Sequence, residues 1–420
     1  MNNAGKAGLD FAVVYYIGDR KMGSIHIVQR SNGQTSVEHL PVEPDTGLDK
    51  MLKPILAGVT PERQVVLLDP KTKEIRVQAG FPADGFPAHL YADPYSSRDW
   101  FMNDGDKETG NDTLNCGDQG SSVTVIDNTA SAAARFLKTI CVGRGHHQAA
   151  FTIPSATAPN VPRRAWISNL NDGTITVIGN DPQDDTTYLT VLATINLCEA
   201  ARESDVADKT PNTAYPHGLA YSPLSGKLYN LNSGYGTLAI IDPLTNTIEG
   251  RMSLKGYSNL FATPGGRYLI ARGADRKSDP HHVIAKVAVF DTAANEVVDT
   301  LDVPDVYLSK YYFNPEGSKL YFTTSSSGSP EQQANLKTDV VLALDLTALP
   351  KLRLTRQIKS GPAGSLAFLA QNGRTERVFA SHAESGALAV IDGQSDAVLE
   401  SIAVTAPGAH SRIWMLGDRA

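Results

Sequence analysis

Apolar and polar residues alternate along this chain in short runs. Each run closes on an acidic or polar residue followed by turn formers. The pattern recurs as VVLLDPKT (65–72), VTVIDNTA (123–130), ITVIGNDP (175–182), LAIIDPLT (238–245), VAVFDTAA (287–294), VLALDLTA (341–348) and LAVIDGQS (388–395), with IHIVQRSN (25–32) as a weaker eighth copy. A period of two over four to eight residues predicts a strand, and Asp with a following turn residue predicts a hairpin. Each copy leads into a second β-type stretch, such as NTIEGRMSL or NEVVDTLDV. Each is preceded by an apolar strand, a Pro/Gly turn and another strand, as in HGLAYSPLSGKLYNLNS (217–233) and SKYYFNPEGSKLYFTTS (309–325). The unit is therefore four antiparallel strands. No long stretch carries a helical period.

Four-stranded units repeated around a ring make a β-propeller. The fold class expected is all-β, a single propeller domain over 1–420. Seven first-strand signals give seven blades. Eight is the alternative count, because 43–87 holds a hairpin without a clear first strand. The segment GAHSRIWML (408–416) reads as a first strand with no blade after it, whereas FAVVYYIG, SIHIVQR and TSVEHLPV near the start read as second, third and fourth strands. The C-terminal strand is expected to complete the N-terminal blade, which ties the ends together and removes a sheet edge.

The segments NLNDGTITVIGNDP and NLNSGYGTLAIIDPLTNTIEGRMSL resemble the repeats of bacterial YVTN-type propellers. The resemblance runs from about residue 88 to the end. It is specific for fold and uninformative about activity. It implies kinship with periplasmic metal chaperones, with copper enzymes such as nitrous oxide reductase and thiocyanate dehydrogenase, and with haem-d-type proteins of nitrite respiration.

Laying the blades over one another directs attention to the ten histidines. His147 precedes QAAFTIP, His217 precedes GLAYSP and His410 precedes SRIWML, all at one blade position. Ser258, Ser309 and Gly364 hold that position in three other blades, and His89 is one place off register. First strands line the channel, so residues distant in sequence converge there. Neutral imidazole ligates zinc, copper, nickel and iron, and three histidines with an open position suit catalysis or ion transfer. The primary ligands expected are His147, His217 and His410. His146, His281, His282 and His382 are auxiliary candidates on the same face. The ion expected is copper or zinc. Lys310 and Arg272 are candidate catalytic or substrate-holding cations, beside Asn103, Asp104, Asp106, Asn169, Asn171 and Asn232. A single histidine at a strand start is more often a hydrogen-bonded structural residue. The expectation therefore rests on convergence.

Two uses fit such a site: passing the ion to a delivery partner, or copper-dependent oxidoreduction of a small molecule. The alternatives are a metal-free protein-interaction scaffold and a haem-type or lactone-processing enzyme. No CxxCH motif is present, nor a phosphate loop or a nucleophile elbow. A net charge of −7 argues against nucleic acid as a partner, and no apolar run is long enough to span a membrane. Three cysteines cannot build a disulfide scaffold. Cys116 can pair with Cys141 or Cys198 or add a soft ligand, and the plainer reading leaves all three unbridged. The loop 104–120 resembles a calcium loop in composition but lacks the spacing, so a lid or solvated insert is expected. No secretory signal is visible at the start. The resemblance and the histidine-only donor set point to a periplasmic protein with its signal removed, with a cytoplasmic one as the alternative.

Overall fold

The computed structural model describes residues 11–17, 24–41, 50–52, 55–59, 65–68, 72–78, 87–104, 116, 121–127, 135–145, 147–382, 385–404 and 412–415, some of them in backbone alone. They form eight four-stranded antiparallel sheets. One blade shows the pattern: Pro216–Ser222, Lys227–Asn232, Thr237–Asp242 and Thr247–Ser253, each paired with the next. First strands of neighbouring blades lie side by side, 149–152 with 216–222, 216–222 with 257–262, and 363–371 with 412–415. They therefore ring a central channel.

Burial follows strand rank. The third strand Thr174–Gly179 is buried on both faces, which explains its unbroken TITVIG run, whereas the fourth strand Thr247–Ser253 alternates between exposed and half-buried as an edge strand does. Six apolar clusters each join residues of two adjacent blades, so the core is a set of seams between sheets. Trp100 and Phe151 share one seam, and Tyr321 and Phe368 another, at centroid distances of 5.7 Å in both. Where a third strand ends in Asp, that residue makes the turn itself. Asp242, Asp291, Asp345 and Asp392 each accept a backbone N–H two or three residues on, at 2.8 Å.

Six seams join seven blades, as the strand signals predict. The stretch 43–87 adds the rest: Lys50–Leu52, Ile55–Val59, Val65–Leu68 and Ile75–Gln78 form an eighth sheet whose first strand packs beside Pro87–Ala92. Counting it gives the alternative of eight. Its first strand is three residues long, too short for an alternating pattern to register. The ring closes as expected. Arg412–Met415 pairs with Phe11–Ile17, Tyr15 opposite Trp414, and completes the sheet of Ser24–Ser31 and Gln34–Pro41. The cysteines depart from the plainer reading. Cys116 is bridged to Cys141 at the end of the fourth strand Arg135–Cys141, and Cys198 is unbridged. A separation of 25 residues across a loop gave no local signal for this pairing.

The closing blade carries a titratable pair. His26 and His39 face each other across the second pair of strands, with Nδ1 atoms 2.7 Å apart, and Ser24 Oγ lies 3.1 Å from His26 Nε2. One Nδ1 must accept, so at least one ring is neutral there. His26 is buried, and burial first and the His39 ring second lower its pKa from 6.5 to about 4. A depressed histidine pKa means that the native state binds fewer protons than the unfolded chain as pH falls below 6.5. Stability is thus full above 6.5 and lost as pH falls to about 4, by up to ~3 kcal/mol. Denaturant unfolding of the wild type and His26→Gln across that range checks this. The wild type is expected to lose more stability than the variant, and equal losses would refute the assignment.

Candidate functional site

The strand registers fix which residues are equivalent. Leu90, Ala149, Leu219, Leu260, Tyr311 and Leu366 pair with Phe101, Ile167, Asn230, Ala271, Phe322 and Ala380. Two residues before them stand Ala88, His147, His217, Ser258, Ser309 and Gly364. His147 and His217 therefore hold one position in adjacent blades, and His89 is one place along. Five blades carry an irregularity here: between Pro87 and His89, Pro216 and Leu219, Tyr257 and Asn259, Leu308 and Tyr311, and Ala363 and Ser365. A bulge leaves its extra residue out of the ladder and frees that residue's carbonyl.

Side chains of the preceding blade take up carbonyls at this level, those of the bulged Ser258 and Gly364 among them. His217 Nδ1 donates to Ser258 O at 2.7 Å, Arg272 Nη1 to Leu308 O at 2.9 Å and Lys310 Nζ to Gly364 O at 2.8 Å. Tyr91 Oη reaches His147 O at 3.5 Å, the weakest of the set. Gln148 Oε1 accepts from Leu219 N at 3.1 Å in the reverse sense. Lys310 and Arg272 are thus inter-blade ties as well as channel cations.

His147 is fully buried and held from several sides. The loop before it is anchored by the Cys116–Cys141 bridge, by Val142 N on Ser121 O at 3.1 Å, and by the Arg144–Asp172 ion pair at 2.7 Å. Its own Nδ1 donates to Ser168 O at 2.9 Å. A carbonyl can only accept, so both His147 and His217 carry a proton on Nδ1, and the neutral ring then has its lone pair on Nε2. This is the tautomer a metal-ligating imidazole needs, with the backbone as orienting partner.

The remaining candidates separate. His382 ends the second strand Arg374–His382, is buried, and burial lowers its pKa. His281 and His282 lie in the exposed loop between Tyr268–Asp275 and Ile284–Asp291. His282 Nδ1 is 2.6 Å from Asp305, whose hydrogen bond raises its pKa, and both backbone N–H groups bind Asp279 Oδ1. His146, His410 and Asp106 lie outside the described residues. Asn103 and Asn169 are fully buried and each donates Nδ2 to two hydroxyls of the third strand, so they brace the blade. Among the described residues, no group of three or more His, Cys, Asp or Glu is close enough to hold a metal ion.

The channel contains a cavity of about 780 Å³ that pattern reading did not anticipate. His217, Gln148, Asn259 and Arg272 line it with the aromatics Phe261 and Tyr311. Phe261 and Tyr311 stack at 3.6 Å with 4° between their planes. The first-strand aromatics Tyr91, Phe151, Tyr221, Phe261 and Phe313 line this cavity. Burial lowers the Arg272 pKa and raises that of Tyr311.

No family model and no curated protein matches the sequence. Solved structures resemble the fold. Dihydro-heme d1 dehydrogenase NirN in complex with DHE aligns at a TM-score of 0.59 and 12% identity over 97% of this chain and 76% of that one. AztD from Citrobacter koseri aligns at 0.57 and 11% over 98% and 100%, and apo AztD from the same organism at 0.54 and 12% over 97% and 98%. A putative 6-phosphogluconolactonase from Bacteroides uniformis aligns at 0.50 and 13% over 96% and 99%. At such identities the likeness shows a β-propeller and nothing of its chemistry.

The site geometry generates one check of its own. Gly361 has φ +88°, and a Cβ there would stand 2.8 Å from His382 Cε1. Gly361→Ala is expected to cost ~1–3 kcal/mol through backbone strain and displacement of the ring. Denaturant unfolding measures the cost, and the His382 imidazole resonances should move. An unchanged midpoint and spectrum would show that the loop does not hold the ring.

Proposed function

We propose that this propeller binds one zinc or copper ion at the histidine-bearing mouth of its channel and hands it on or uses it on a small substrate. The observation that carries this reading is the pair of imidazoles at one blade position, His147 and His217, both with Nδ1 committed to a carbonyl. The described residues supply two nitrogen donors. His410, at the matching sequence position, or His146 would complete the set. Zinc would supply Lewis acidity there, and copper a redox couple as well. The protein's own part is to fix each imidazole's tautomer and direction before the ion arrives. The Ser168 carbonyl does this for His147, on a loop anchored by Arg144, Asp172 and the disulfide, and the Ser258 carbonyl does it for His217.

Other features favour the same reading. The Cys116–Cys141 bridge suits an oxidising compartment such as the periplasm, where the YVTN-type resemblance would also put it. The AztD likeness includes an apo form, which accords with a propeller that gains and loses a ligand. An ion-delivery protein is the partner for a carrier, and a small molecule the partner for an oxidoreductase. Among the described residues no helix is long and apolar enough to cross a membrane.

Elemental analysis of untagged protein tests the reading, beside His147→Ala/His217→Ala and the triple variant that adds His410→Ala. Near-stoichiometric copper or zinc is expected in the wild type, with loss from both variants. Wild type that stays metal-free after reconstitution would refute the reading. Metal retained by the triple variant would refute the ligand assignment.

A further inference from the structure

We infer that the channel cavity beneath the histidine mouth is a binding site for an organic carboxylate with a flat, ring-sized apolar body. The inference goes beyond the metal reading and does not depend on it.

Arg272 carries the argument. It lies on the second strand Tyr268–Asp275 and lines the cavity of about 780 Å³. One guanidinium nitrogen donates to Leu308 O at 2.9 Å, while its buried Nε has no hydrogen-bond partner among the described residues. Among the described residues no Asp or Glu stands in the cavity lining, and Arg272 makes no ion pair. Burying a charge is costly unless it is paired, and here only a neutral carbonyl repays the cost. A carboxylate in the cavity would pair this charge, and a guanidinium is shaped to meet one through two parallel hydrogen bonds.

A second group faces the same way. Asn259 pairs directly opposite Arg272 on the adjoining strand, is buried, and lines the cavity. Its amide makes no side-chain hydrogen bond to a described residue, unlike Asn103 and Asn169, whose amide nitrogens are spent on the third strand. Two neighbouring polar side chains thus line one space. The body of the ligand follows from the rest of the wall. Phe261 and Tyr311 form a flat stack beside Arg272, and Leu219, Leu260 and Phe151 continue the apolar lining. A cavity of this size, largely apolar with a few converging polar groups, is the usual form of a small-molecule site.

Calorimetry on chelator-treated full-length protein tests this, with 1-naphthoate and its neutral isostere 1-naphthamide as probes. Chelation keeps a failure here distinct from a failure of the metal reading. Naphthoate is expected to bind at least about tenfold more tightly than the amide, the size of a charge-assisted hydrogen bond. Arg272→Gln should bring naphthoate down to the level of the amide, and Arg272→Lys should restore part of the difference. Equal binding of the two probes by the wild type, or binding of neither, would overturn the inference. So would a preference for naphthoate that survives in Arg272→Gln. Should that variant fail to fold, Asn259→Ala decides. It should weaken naphthoate more than the amide, and an unchanged preference would count against the site.

Discussion

The freed carbonyls at the start of the first strands are the constraint on which the channel depends. A propeller blade must turn its first strand toward the axis and still hold the next blade. The bulge at Tyr257/Asn259 achieves the turn by leaving Ser258 outside the ladder, and that at Ala363/Ser365 does the same to Gly364. Each exposes a carbonyl oxygen toward the neighbouring blade, where leaving it unpaired would cost about 1–3 kcal/mol. His217 and Lys310 satisfy them. Polar residues are therefore required at the channel face for packing reasons alone.

That requirement explains why polar side chains gather there, and it sharpens the question of which of them do more. A tie needs one donor. Lys310 is tied to Gly364 O, a role that accounts for its place without invoking chemistry. The two imidazoles are different, because a ring that gives Nδ1 to the backbone still carries a lone pair on Nε2. Arg272 is different in the same sense: it spends one N–H on Leu308 O and has a buried Nε without a partner among the described residues. Function is best sought where a structural tie leaves chemistry over, and Arg272 meets that condition among the described residues. The exposed His281–His282 loop fails it, since its hydrogen bonds to Asp279 and Asp305 form a local turn outside the channel.

Much of this could be read from the chain before any coordinates. Alternation with a period of two marked the strands, and the Asp that stops four of the third strands, Asp242, Asp291, Asp345 and Asp392, is the turn-forming residue itself. Ring closure followed because RIWM stood without a blade and FAVVYY without a first strand. The equivalence of His147 and His217 was legible too, since counting back from the apolar alternation is the same operation as reading strand register. Four features were not legible. The first strand at Lys50–Leu52 is shorter than the pattern it would have to show. The Cys116–Cys141 bridge joins a loop to a strand end, and spacing cannot choose a partner. The roles of Asn103 and Asn169 hinge on the direction of an amide, which composition does not encode. The cavity is a property of the ring as a whole: Phe261 reads as seam packing, and it is, yet its other side forms the channel wall.

The two proposed sites bear on each other through charge. The protein is net negative at −7, yet Arg272 puts positive charge into the channel wall, and among the described residues no carboxylate lines the cavity to offset it. A divalent ion bound by His147 and His217 would add more of the same sign, and His217 borders both the mouth and the cavity. Like charges in a partly desolvated space repel more strongly than in bulk water. Bound alone, the metal would work against the guanidinium beneath it. An anion lying between them would relieve both, so the two sites are expected to favour each other's occupation. On that reasoning the channel would hold a metal best with an organic acid also present. A propeller that releases its metal as the acid leaves fits a carrier, and one that polarises the bound acid fits an enzyme.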